Sequence, residues 1–212
     1  MNAIENVSGL PLFSQIDNQD IVPTIKKAID NCKAVIEEVV ESGEATYAQV
    51  IERIEDSEDE LSKMWSPIGH MNSVVSSDKL REAHDACLPM LSEFGTWVGQ
   101  HKGLFNLYQQ LHESKEFASL NEAQQKVVTN AIRDFTLSGV GLKDDKKKRY
   151  SDIQSRLSDL SSTFGNNVMD ATMAWTKQVT EESELAGLPD SVKAAAAQTA
   201  RKKDLKGWLF TL

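Results

Sequence analysis

Apolar side chains recur every three or four positions along most of this chain, a spacing that predicts amphipathic helices rather than strands. Residues 1–17, punctuated by Gly9, Pro11 and Asp17, read as extended. Ile21, Ile25, Ala28, Ile29, Cys32, Val35, Ile36, Val39 and Val40 then trace one helical face. Asn18 or Asp20 can cap that helix, Pro23 suits its first turn, and Gly43 ends it. Thr46 caps a second helix with the stripe Tyr47, Val50, Ile51, Ile54, Leu61, Met64 and Trp65, which Pro67 and Gly69 are expected to break or kink. A third helix is predicted over 78–112, buried along Leu80, Ala83, Cys87, Met90, Leu91, Phe94, Trp97, Val98, Leu104, Phe105, Tyr108 and Leu111 and kinked at Pro89. A fourth opens at Asn121, which with Gln124 makes a capping-box pair. It turns Val127, Val128, Ala131, Ile132 and Phe135 inward and ends at Gly139 and Gly141.

The longest stripe is Tyr150, Ile153, Leu157, Leu160, Phe164, Val168 and Ala171, a nearly heptad seam. A coiled-coil arm would satisfy it. One long helix packed lengthwise against its neighbours is favoured, because every other helix also carries a stripe that needs cover. At Trp175 the period changes: Trp175, Lys177 and Val179 alternate with polar residues, predicting a strand. Leu188, Pro189 and Asp190 open a last helix through the alanines at 194–197, and 206–212 reads as a second strand. Two strands could pair with each other, but two alone are marginal, so a larger sheet is expected.

The expected fold class is therefore mainly all-α, long antiparallel helices with two short β-strands near the C-terminus. Three segments follow: an extended stretch over 1–17, a helical lobe over 18–173, and a strand-helix-strand segment over 174–212. The closing residues GWLFTL (207–212) form an apolar strand with no partner after it. An open strand edge invites pairing, so the expectation is a chain cut from a longer protein within a sheet.

Composition narrows the function classes. A formal net charge of −9 argues against a nucleic-acid or anionic-membrane binder, either of which needs a basic surface. Cys32 and Cys87 are too few and too far apart for a disulfide framework, and each falls on an apolar stripe as a small buried hydrophobe, which fits a reducing, cytoplasmic compartment. Residues 1–13 contain Glu5 and lack the basic-then-apolar order of a signal peptide, and no apolar run nears the ~18 residues that span a bilayer.

A search for chemistry nominates no catalytic, cofactor-binding or metal-binding residue. His84 and His101 lie on or beside the third helix's stripe and read as structural. His70 sits in a predicted turn without ligand partners. HESKE (112–116) is the nearest approach to the His-Glu-x-x-His zinc signature, but Glu116 stands where the second histidine belongs and no third ligand is evident. The acidic run 55–60 reads as a solvated helix face, and so do the basic runs 146–149 and 201–203. Gly139-Val-Gly141 lacks the third glycine of a dinucleotide loop, and neither a Gly-x-Ser-x-Gly elbow nor a Glu-x-x-His pair occurs.

Several segments carry a resemblance. WSPIGHMNSVV (65–75) with LREA (80–83), WVGQH (97–101), and NAIRDF (130–135) with LSGVGL (137–142) are similar to the N-terminal region of thimet-oligopeptidase-like zinc metallopeptidases. So are RLSDL (156–160) through Phe164, Asn167, Val168, DAT (170–172) and WTK (175–177), then LAGLP (185–189). The similarity runs over residues 10–212. It implies a parent about three times this length, with two mostly helical lobes around a narrow channel that admits short peptides. It places the zinc and its His-Glu-x-x-His ligands, with a Glu as general base, in a C-terminal catalytic lobe. None of those residues maps onto this chain. The implied role is one wall of the channel in a cytoplasmic zinc oligopeptidase, with short peptides and the catalytic lobe as partners, no nucleic acid and no membrane, and with the fragment inactive alone. The alternative is a stand-alone helical interaction module, self-associating through the 150–171 seam.

Overall fold

A computed structural model describes residues 2–212; Met1 lies outside the described residues. The architecture is mainly helical, with eight α-helices and two short strands among the described residues. The chain divides into two compact units, one ending at Leu160 and the other covering Ser161–Leu212.

In the first unit the organising element is α1 (Asn18–Ser42). Asp17 caps it, its carboxylate accepting from the Gln19 N–H at 3.0 Å, so the helix starts earlier than Asn18 or Asp20 as cap would require. Pro23 consequently lies past the first turn. Gly43 ends it in the left-handed conformation with φ 67°, as its position in the pattern predicts. Ile21, Ile25, Ile29, Cys32, Ile36 and Val39 are buried, and α1 packs against α2 (Arg53–Val74), α3 (Asp78–Gly99) and α4 (Lys102–Glu113). The turn leading into α2 is a π-helical stretch, Ala48–Glu52, with the Thr46 hydroxyl accepting from the Gln49 N–H at 3.3 Å.

The structure departs from the sequence expectation at several points in this unit. Of the two outcomes expected at Pro67 and Gly69, a break does not occur: α2 runs through both to Val74, with the proline ring itself buried. The predicted 78–112 helix is two helices, because Gln100 and His101 leave the helical path and the His101 ring caps α4. A short helix, α5 (Lys115–Ser119), follows α4 where none was expected. Within the N-terminal stretch, turns of 3-10 helix at Ala3–Glu5 and Phe13–Gln15 replace a uniformly extended path.

Helix α6 (Glu122–Leu137) begins with the predicted capping box: the Asn121 side chain accepts from the Gln124 N–H, and the Gln124 side chain accepts from the Asn121 N–H. Val128 and Phe135 are buried, whereas Val127 faces out. Gly99 of α3 explains how closely α6 approaches: a Cβ there would lie 2.7 Å from the Ser138 Cβ.

Helix α7 (Asp144–Ala174) is continuous over 31 residues, and none of its residues is buried. Ile153, Leu157, Leu160, Phe164 and Val168 are all exposed, so its seam is not covered along its length as expected.

In the second unit, β1 (Thr176–Val179) pairs antiparallel with β2 (Trp208–Thr211), Lys177 opposite Phe210. The sheet has these two strands alone among the described residues. Helix α8 (Asp190–Lys202) packs on β2, and Val179, Leu185, Ala196, Ala200 and Leu209 form a small buried cluster. Gly207 makes the pairing possible: its φ is 80°, and a Cβ there would sit 2.2 Å from the Val179 carbonyl oxygen.

Candidate functional site

The residues able to do chemistry are dispersed into structural roles. His101 accepts the Leu104 N–H at its Nδ1 (3.1 Å), reaches Glu37 Oε1 with Nε2 (3.4 Å) and meets the Trp97 ring edge-on at 4.9 Å between centroids. His84 stacks on Trp65 at 4.9 Å and contacts Asp85 at 3.0 Å. Both rings are thus held among neighbouring helical side chains, beside the stripe on which their spacing places them. His70 is exposed and tilts against the Phe13 ring.

His112 and Glu116 do not share a helix face, because α4 ends at Glu113 and Ser114 is extended. Glu116 instead accepts the Tyr47 N–H at 3.0 Å, supplying an acceptor to the start of a distant helix, while His112 packs against Phe117. No group of three or more His, Cys, Asp or Glu placed to hold a metal ion occurs among the described residues.

The cysteines behave as small core residues. Cys32 Sγ donates to the Ser57 carbonyl at 3.2 Å, and Cys87 is fully buried. Burial pushes the Cys87 thiol up to about 11 and also raises that of Cys32, so neither is poised as a nucleophile. Burial likewise raises the Tyr108 phenol, with the Glu58 and Glu55 charges adding to the effect.

An apolar groove of about 510 Å³ lies between α2, α3 and α6. Its walls are Leu61 and Trp65 from α2, Leu91, Phe94 and Val98 from α3, and Ala131 and Phe135 from α6. Two carboxylates line it. Asp134 accepts from Arg133 Nε at 2.9 Å. Glu58 is half-buried and has no hydrogen-bond or ion-pair partner among the described residues. Desolvation raises its pKa, and the neighbouring Glu55 charge raises it further. Glu58 departs from the solvated face expected for the acidic run 55–60. The available signal was its spacing: Glu58 lies three residues before Leu61 and four after Ile54, on the buried side of α2.

The family model of the neurolysin/thimet oligopeptidase N-terminal domain matches residues 25–147, more than half of the chain. The chain belongs to this family. Its match takes in most of α1 and all of α2 to α6, and therefore every wall of the groove. Relatives extend the likeness across the whole sequence. Oligopeptidase A of Haemophilus influenzae is 50% identical over 211 residues, covering 100% of this chain and 31% of the relative. Oligopeptidase A of Escherichia coli is 48% identical over 204 residues, covering 96% and 30%. A probable cytosolic oligopeptidase A of Arabidopsis thaliana is 32% identical over 209 residues, covering 95% and 30%. The chain thus spans about 30% of the length of these oligopeptidase relatives and is similar to the N-terminal region of oligopeptidase A. No helix among the described residues is long and apolar enough to cross a membrane.

Proposed function

We propose that this chain is the N-terminal, non-catalytic part of a zinc-dependent oligopeptidase that hydrolyses internal bonds of short peptides in the cytoplasm, and that it forms one wall of the substrate channel. One observation carries the reading. A family match over residues 25–147 is joined to 48–50% identity with bacterial oligopeptidase A along nearly the whole chain.

The residues present do not fit a zinc centre. The four histidines are engaged separately, and the best sequence candidate, His112 with Glu116, is split between two helices. In this reading the zinc and its ligands belong to a C-terminal catalytic lobe outside the chain. The contribution of these helices is shape: a rigid wall that lets an extended peptide pass and keeps folded proteins out.

The test is cleavage of an internally quenched peptide by the purified 212-residue chain, alone and mixed with the separately expressed remainder of its coding sequence. No cleavage alone and chelator-sensitive cleavage on mixing is the expected result. Chelator-sensitive cleavage by the chain alone overturns the proposal.

A second reading, a stand-alone helical interaction module, is favoured by the exposed apolar seam of α7. Reading the coding sequence past codon 212 separates the two. A long frame carrying His-Glu-x-x-His supports the peptidase, and an immediate stop supports the module.

A further inference from the structure

We propose that the groove between α2, α3 and α6 binds a small amphipathic amine, its ammonium against the Glu58 carboxylate and its apolar body between Trp65, Phe94 and Phe135. The site lies wholly within the first unit and does not rest on the peptidase reading.

Three observations define the ligand. The first is size: a groove of about 510 Å³ is within the range of small-molecule sites. The second is charge. Among the described residues no Lys, Arg or His lines the groove, and of its two carboxylates only Asp134 has a cation beside it. A half-buried carboxylate with neither a counter-charge nor a hydrogen-bond donor is unfavourable until one arrives. The third is the shape of the α3 wall. Gly95 and Gly99 lie one turn apart. At Gly99 a Cβ would strike Ser138, holding α3 and α6 together, while at Gly95 a Cβ would meet nothing within 4 Å. The missing side chain at Gly95 therefore leaves room in the groove rather than serving close packing.

A cation with an aromatic or branched apolar body meets all three conditions. The ammonium offsets the Glu58 charge, and the body takes up apolar surface now facing water. An acid would be repelled by Glu58. A neutral alcohol of the same size would gain the apolar contact alone.

The probe is 2-phenylethylammonium, compared with 2-phenylethanol and phenylacetate, titrated into the full chain at neutral pH and followed by amide chemical shifts. The expected result is saturable shifts centred on Gly95 and Gly99 for the amine, with affinity roughly tenfold above the alcohol and no binding of the acid. Glu58→Gln should erase that tenfold preference while leaving the alcohol's binding intact. Gly95→Leu should abolish binding of both; its side chain enters open space, so circular dichroism should be unchanged. Equal affinity of amine and alcohol, preference retained in Glu58→Gln, shifts mapping elsewhere, or no shift at about 10 mM probe each overturns the proposal.

Discussion

Helices α1 and α7 carry comparable apolar stripes and meet opposite fates. In α1 the stripe is sealed: Ile21, Ile25 and Ile36 are 0% exposed, with α2, α3 and α4 packed against the helix. In α7 the stripe stays open: Leu157 is 51% and Phe164 71% exposed, and no residue of the helix is buried. A period near 3.6 is thus evidence for a helix and for one apolar side, but not for which surface covers that side. The same contrast runs through the small second unit, where a two-stranded sheet and one helix bury only a handful of side chains.

The contrast can be broken by mutation. Ile36→Ala should cost about 2–5 kcal/mol, read as a lower urea midpoint, because the rigid surroundings of α1 leave a cavity. A cost near zero would mean that α1 is as loosely held as α7. Raising the pH should act on the same core. The Cys87 thiol titrates near 11 when folded, against an ordinary value of 9, and the Tyr108 phenol is raised too. The folded state therefore holds these protons more tightly than the unfolded chain. The stabilisation is complete below pH 9 and is lost as the pH climbs toward 11. The urea midpoint should fall across that window, and fall less in Cys87→Ala.

Gly207→Ala should cost the second unit about 1–3 kcal/mol, because a side chain is forced into a left-handed backbone against the Val179 carbonyl. Faster amide exchange at Lys177 and Phe210, with protection of α1 unchanged, is the expected signature. Phe164→Ser, on the open stripe, should change stability by less than about 0.5 kcal/mol in thermal unfolding. A larger loss would show that α7 is covered after all.

Features set by a few neighbouring residues were legible in the sequence. Asn121 with Gln124, Gly43, and the alternation through Val179 each specify a local geometry that the structure reproduces. The mainly helical class followed from the same periodicity. What escaped depends on distant partners. The break at His101 was hidden because the cap is an imidazole nitrogen, an acceptor that the usual Ser, Thr, Asp and Asn signals do not include. Glu116 lies close to His112 in sequence, but its backbone partner is Tyr47, 69 residues away. The groove is built from three helices far apart in sequence, and its local traces are the pair Gly95 and Gly99 and the place of Glu58 on the buried side of α2.

The arrangement around α1 also sets an order of events during synthesis. Its apolar side is complete once Ser42 has been made, yet one of the helices that seals it, α4, is finished only at Glu113. At ordinary ribosomal speeds that interval lasts roughly 4–14 s. Throughout it the nascent chain displays the helix that ends with the most buried side chains before it has full cover, so a pause between those two points would prolong the stage most open to aggregation.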